Sequence, residues 1–133
     1  VPGGSLAGEV TPLPASWGDA LGGARAMCEI EARPADPHSI QLECFTRDGA
    51  LFVQSHRWVL ADWWPESWAE VWLAEPEVRV RLGELIYELR AVRVTDEAAR
   101  RTMLKERGYE PVPDGIVVFR FDPRTQAPGS AAP

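Results

Sequence analysis

No stretch of this sequence approaches the roughly 18 to 20 consecutive apolar residues that a membrane-crossing helix needs, and no charged segment followed by an apolar one opens it as a secretion signal would. The residues as given therefore read as a water-soluble domain. Basic charge is also scarce: 14 Lys and Arg stand against 20 Asp and Glu, for a formal net charge of −6. Such a field repels phosphate backbones and anionic lipid, which excludes nucleic acid as a partner. It does not exclude one small phosphate, because placed donors rather than net charge hold that group. Cysteine and histidine number two each. Cys28 and Cys44 lie too far apart for a CxxC pair, and His38 and His56 complete no metal-ligand set, so no metal site is expected. Glycine-rich phosphate loops, HExxH, GxSxG and a Ser/His/Asp set at familiar spacing are all missing. Hydrolysis and phosphoryl transfer lose their usual support, and an enzyme built on this chain would need a bound cofactor for the hard chemistry.

What is present fits one core. A chain of 133 residues with 45% hydrophobic content is the usual size of a single domain. Residues 1–25 carry Gly and Pro so often that no period survives, which predicts an extended arm anchored by Trp17. Residues 123–133 are small, polar and proline-rich, with no apolar side chains to offset ordering entropy, and they predict a flexible tail. Between these ends, over 26–122, alternation places Cys28, Ile30 and Ala32 on one face of a strand and Ile40, Leu42 and Cys44 on one face of the next. Pro34 to Pro37 turns the first strand into the second, and Asp48-Gly49 turns the second into a third over 50–54. Pro65 can open a helix on which Trp64, Trp68, Val71 and Trp72 recur at helical spacing. Val78, Val80 and Leu82 then alternate into Gly83-Glu84 and a long strand over 85–94, forming a second hairpin. Thr95 as N-cap and Gly108 as C′ residue bracket a helix over 96–107, and a last strand follows over 116–121. Six strands and two short helices without βαβ alternation predict a mainly β fold, closed into a small antiparallel barrel that removes its open edges.

Several groups could carry chemistry. Cys28 and Cys44 are equidistant from Asp36, so a hairpin centred there sets them opposite each other. They could form a cross-strand disulfide, or serve as two buried thiols acting as small hydrophobes. Trp64, Trp68 and Trp72 read as the core stripe of the helix, whereas Trp58 and Trp63 precede it and are candidates for stacking on a planar ligand. Ser55, His56 and Arg57 offer a hydroxyl, an imidazole and a guanidinium in sequence; they form either an ordinary polar loop or a phosphate-binding turn. Arg79, Arg81, Arg90 and Arg93 read as a solvated face of the second hairpin, facing Glu77 and Glu88.

The run Asp48-Gly49-Ala50-Leu51-Phe52-Val53, the polar Ser55-x-Arg57 turn and the Trp-containing helix are followed by Glu75-Pro76-Glu77-Val78-Arg79-Val80-Arg81-Leu82-Gly83. That order, completed by the strand from Leu85 to Asp96, resembles the FMN-binding split β-barrel superfamily of pyridoxamine 5′-phosphate oxidase-like proteins and deazaflavin-dependent reductases. The resemblance spans about residues 26–122 and marks the fold more than the activity. It implies a six-stranded split barrel and a homodimer with cofactor at the two-fold interface. It also implies a flavin or deazaflavin phosphate near Ser55 and Arg57, with His56 and Trp58 as neighbours and Trp58 or Trp63 against the ring system. Substrate, catalytic acid and catalytic base stay unassigned. The longer basic phosphate-binding pattern of FMN oxidases is absent, which leaves a second reading open: a non-catalytic cell-envelope binding module that keeps the barrel without a cofactor. The opening residues Val1 to Glu9 resemble a bacterial branch in which a hydrophobic anchor precedes the barrel. A membrane tether upstream of Val1 and a periplasmic or envelope-exposed domain are expected on that basis, with a cytoplasmic one as the alternative, and oxidising surroundings would favour the cysteine bridge.

Overall fold

The computed structural model describes residues 4–32, 34–56 and 68–124, with the backbone alone at His56. Among them are seven strands and three helices: β1 (Glu9–Val10), α1 (Trp17–Leu21), β2 (Arg25–Ala32), β3 (His38–Arg47), β4 (Ala50–His56), α2 (Trp68–Ala74), β5 (Glu77–Leu82), β6 (Leu85–Arg93), α3 (Glu97–Glu106) and β7 (Ile116–Pro123). No helix among the described residues is long and apolar enough to cross a membrane.

The order β6-β5-β2-β3-β4-β7 closes on itself because β7 also pairs with β6, giving a six-stranded antiparallel barrel. Local chemistry explains the tight corners. Asp48 and Gly49 both take positive φ (52° and 81°), the two-residue turn whose twist matches that of paired strands. Gly83 makes the β5–β6 corner with φ of 60°. Alternation fills the barrel from all sides with Ile30, Leu51, Val53, Val80, Leu89 and Phe119, each completely buried. The α2 helix plugs one end with Trp72, whose ring meets Phe119 edge-on at 5.3 Å and lies 6.2 Å from Trp68. The expected tryptophan stripe thus holds for Trp68 and Trp72, while Trp64 lies outside the described residues.

A second apolar cluster sits outside the barrel. Met103 and Leu104 of α3 cover Phe45, Phe52, Ile116 and Val118, so β7 is buried on both faces. The helix is capped one residue later than the sequence predicts: Asp96, not Thr95, accepts from the Ala98 and Ala99 amides (3.0 and 3.4 Å). Its carboxylate reaches two of the four orphan donors at the helix start, a geometry that Asx side chains satisfy well.

The first hairpin also differs from expectation. Its register is centred on Ala35, so Cys28 faces Leu42 and lies diagonal to Cys44, which sits opposite Ala26. The sulfurs are nonetheless bonded, across a Cα separation of 6.0 Å, because both side chains point into the barrel. The residues ahead of β2 are more than an extended arm. Trp17 opens the one-turn helix α1, a third helix beyond the two expected, and packs edge-on against Tyr87 at 5.0 Å. Upstream, β1 adds in parallel to the start of β6 through Glu9 N to Glu84 O (2.9 Å) and Thr11 N to Ile86 O (2.7 Å). Leu6 N donates to the buried carboxylate of Glu31 (2.5 Å), which also accepts from Arg79 (3.3 Å).

Candidate functional site

Strand register brings three chain ends together. On one side of β7, Ser55 pairs with Val117 and His56 with Ile116; on the other, Arg93 pairs with Phe119 and Val94 N donates to Val118 O (2.9 Å). The ends of β4 and β6 therefore flank the first residues of β7 at one end of the barrel, two inter-strand spacings or about 10 Å apart. Ser55 continues the inward row of Leu51 and Val53 and is 7% exposed, so its hydroxyl belongs to the barrel mouth rather than to an outer loop. The His56 backbone is paired in the ladder. Arg57, Trp58 and Trp63 lie outside the described residues, so of the five expected cofactor contacts Ser55 alone has its side chain placed.

A cleft of about 330 Å³ opens at this end, walled by Arg93, Thr95, Arg100, Asp114, Ile116 and Val117. Arg100 builds it. Although 7% exposed, its guanidinium donates to Ile116 O (2.8 Å), Pro113 O and Glu97 (2.9 Å), tying α3 to the chain that enters β7. With its donors turned inward to carbonyls and one carboxylate, Arg100 is a structural clamp. Arg93 differs: it is exposed and forms no ion pair among the described residues. It also walls a neighbouring cleft of about 410 Å³ with Trp72, Leu73, Pro76, Arg90 and Val92.

Arg47, Arg79, Arg81 and Arg107 are engaged by carboxylates. The hairpin arginines do not pair along their own hairpin as the sequence suggests. Glu88 lies opposite Arg79 in the ladder, yet Arg79 reaches Glu31 and Arg81 reaches Glu29 (2.8 Å), both on β2. The β2–β5 pairing that supplies those partners carries no local sequence signal, which is also why Arg90 and Arg93 did not stand out as different. Beside the β3–β4 turn, a third cleft of about 400 Å³ includes Arg25, Arg47 and Arg107. Arg47 is held by Glu106 (3.0 Å), whose hydrogen bond and charge raise its pKa above the ordinary arginine value, with Asp48 adding to the effect. Arg107 donates to Gln54 (2.6 Å) and Glu43 (2.7 Å) and covers the Phe45 ring at 4.1 Å. The positive charge of that cleft is largely balanced within the protein.

No protein-family model and no curated protein matches the sequence. Solved structures do match in fold. One is a candidate pyridoxamine 5′-phosphate oxidase from Listeria innocua, at TM-score 0.56 and 16% identity over 74% of this chain and 83% of that one. Another is an FAD-binding protein from Mesorhizobium loti, at TM-score 0.52 and 17% identity over 82% of this chain and 88% of that one. What these matches show is the shared fold, a closed six-stranded barrel.

Proposed function

We propose that this split barrel binds a phosphate-bearing flavin or deazaflavin where β4 leaves the sheet, and that it serves as an oxidoreductase. The observation that carries the reading is the position of Ser55 as the last inward residue of β4, at the barrel end where β6 finishes in Arg93, which forms no ion pair among the described residues. A hydroxyl and a guanidinium are donors that suit a phosphate, and no group of three metal-ligating side chains occurs among the described residues. The fold shared with an FAD-binding protein supports the same cofactor class.

In this reading Ser55 and Arg57 hold the phosphate, His56 and Trp58 border it, and Trp58 or Trp63 packs on the ring system. The bound cofactor supplies hydride or electron transfer, and the protein binds, orients and shields it. A homodimer places two such sites across its two-fold axis. A bridge between Cys28 and Cys44 suits an envelope-exposed protein tethered upstream of Val1.

The test is titration of the protein with FMN and, separately, with the deazaflavin cofactor, following tryptophan fluorescence. Saturable quenching by one of them, lost in Arg57→Ala, is the expected result. No saturable quenching by either overturns the reading.

A further inference from the structure

The geometry points to a second ligand site, in the cleft between α2 and β6, that takes a small molecule with an anionic group and an apolar body. In a chain with six more acidic than basic residues, a cation without a partner is the exception. Arg90 and Arg93 both wall this cleft, and neither forms an ion pair among the described residues. The carboxylates placed to neutralise Arg90 do not do so. Asp122, its partner in the β6–β7 register, also lines the cleft but is held by Arg120 (2.6 and 2.9 Å), and Glu77, its partner in the β5–β6 register, is exposed.

The opposite wall is apolar. Leu73 is 41% exposed, an unusual position for a large aliphatic side chain beside buried neighbours, and Pro76 extends the surface. Trp72 stands in the same wall with its Nε1 buried and without an acceptor among the described residues. Guanidinium groups of β6 beside an aliphatic and aromatic wall discriminate by charge at one end and by shape at the other. A volume of about 410 Å³ lies within the usual range for small-molecule pockets.

The inference does not depend on flavin binding, and its test uses a probe without flavin. The protein labelled with 15N is titrated with 1-naphthalenesulfonate and, separately, with uncharged 1-naphthalenemethanol, following backbone amide shifts. The sulfonate is expected to move the amides of Leu73 and of residues 90–93 saturably, at least tenfold more tightly than the alcohol. The Arg90→Ala, Arg93→Ala double variant should lose that binding at least tenfold while its amides outside the cleft stay in place, and Arg101→Ala should bind as the unaltered protein does. Equal binding of sulfonate and alcohol, shifts centred elsewhere, or no saturable shift at all would each overturn the site. Should the double variant not fold, the comparison of sulfonate with alcohol on the unaltered protein decides by itself.

Discussion

Asp96 shows how much a single side chain settles at a helix end. Its carboxylate satisfies the Ala98 and Ala99 amides, and it sits where the helix dipole favours negative charge. Asp96→Ala is expected to cost about 1 kcal/mol in chemical denaturation with an unchanged m-value, and Asp96→Asn much less. Thr95→Ala should leave stability nearly unaltered, which distinguishes this cap from the one the sequence predicts. Thr95 and Asp96 are both good capping types, and only the backbone geometry of the first turn decides between them. The same limit applies to the arginines. Composition shows that Arg79, Arg81, Arg90 and Arg93 alternate with apolar residues, but not that β2 supplies carboxylates to the first two and none to the others. Ser55 was legible as a candidate from its neighbours, while its inward orientation follows from a register with β7 that is set some sixty residues away.

At the scale of elements, local signals served well wherever a turn type or a period was involved. The Asp48-Gly49 and Gly83-Glu84 corners, both hairpins and the α2 stripe follow from residues within a few positions of each other. Elements held by distant partners were not readable in advance. The strand β1 has two residues and no alternation of its own; it exists because β6 leaves part of one edge unpaired before β7 takes over. Gly8 makes that pairing possible, since a Cβ there would lie 2.6 Å from Glu84 O and close to the Ile86 side chain. Gly8→Ala is therefore expected to detach β1. Hydrogen exchange should speed up at the Glu9 and Thr11 amides while those of β2 and β5 stay protected. Unchanged protection at Glu9 and Thr11 would mean that the arm absorbs the methyl group.

Across the whole molecule, the barrel closes without a helix between most of its strands, so its stability rests on long-range ladders and on one covalent tie. Cys28 and Cys44 are 2% and 0% exposed and join the first two strands of the barrel. A cross-link spanning 16 positions contributes about 3 kcal/mol by restricting the unfolded chain. Reduction should lower the unfolding midpoint accordingly, and unfolded, unreduced protein should present no free thiol; two reactive thiols there would show that the bridge does not form in solution. The arm ahead of the barrel has a mechanical consequence. A pull applied upstream of Leu6 meets first the Leu6–Glu31 hydrogen bond and then the two bonds of β1 to β6. Beyond them come α1, packed through Trp17 against Tyr87, and then β2, laced on both sides by β3 and β5 and stapled through Cys28. Force from that direction therefore encounters a weak link followed by a strong one, so the arm yields and lengthens while the barrel keeps its shape.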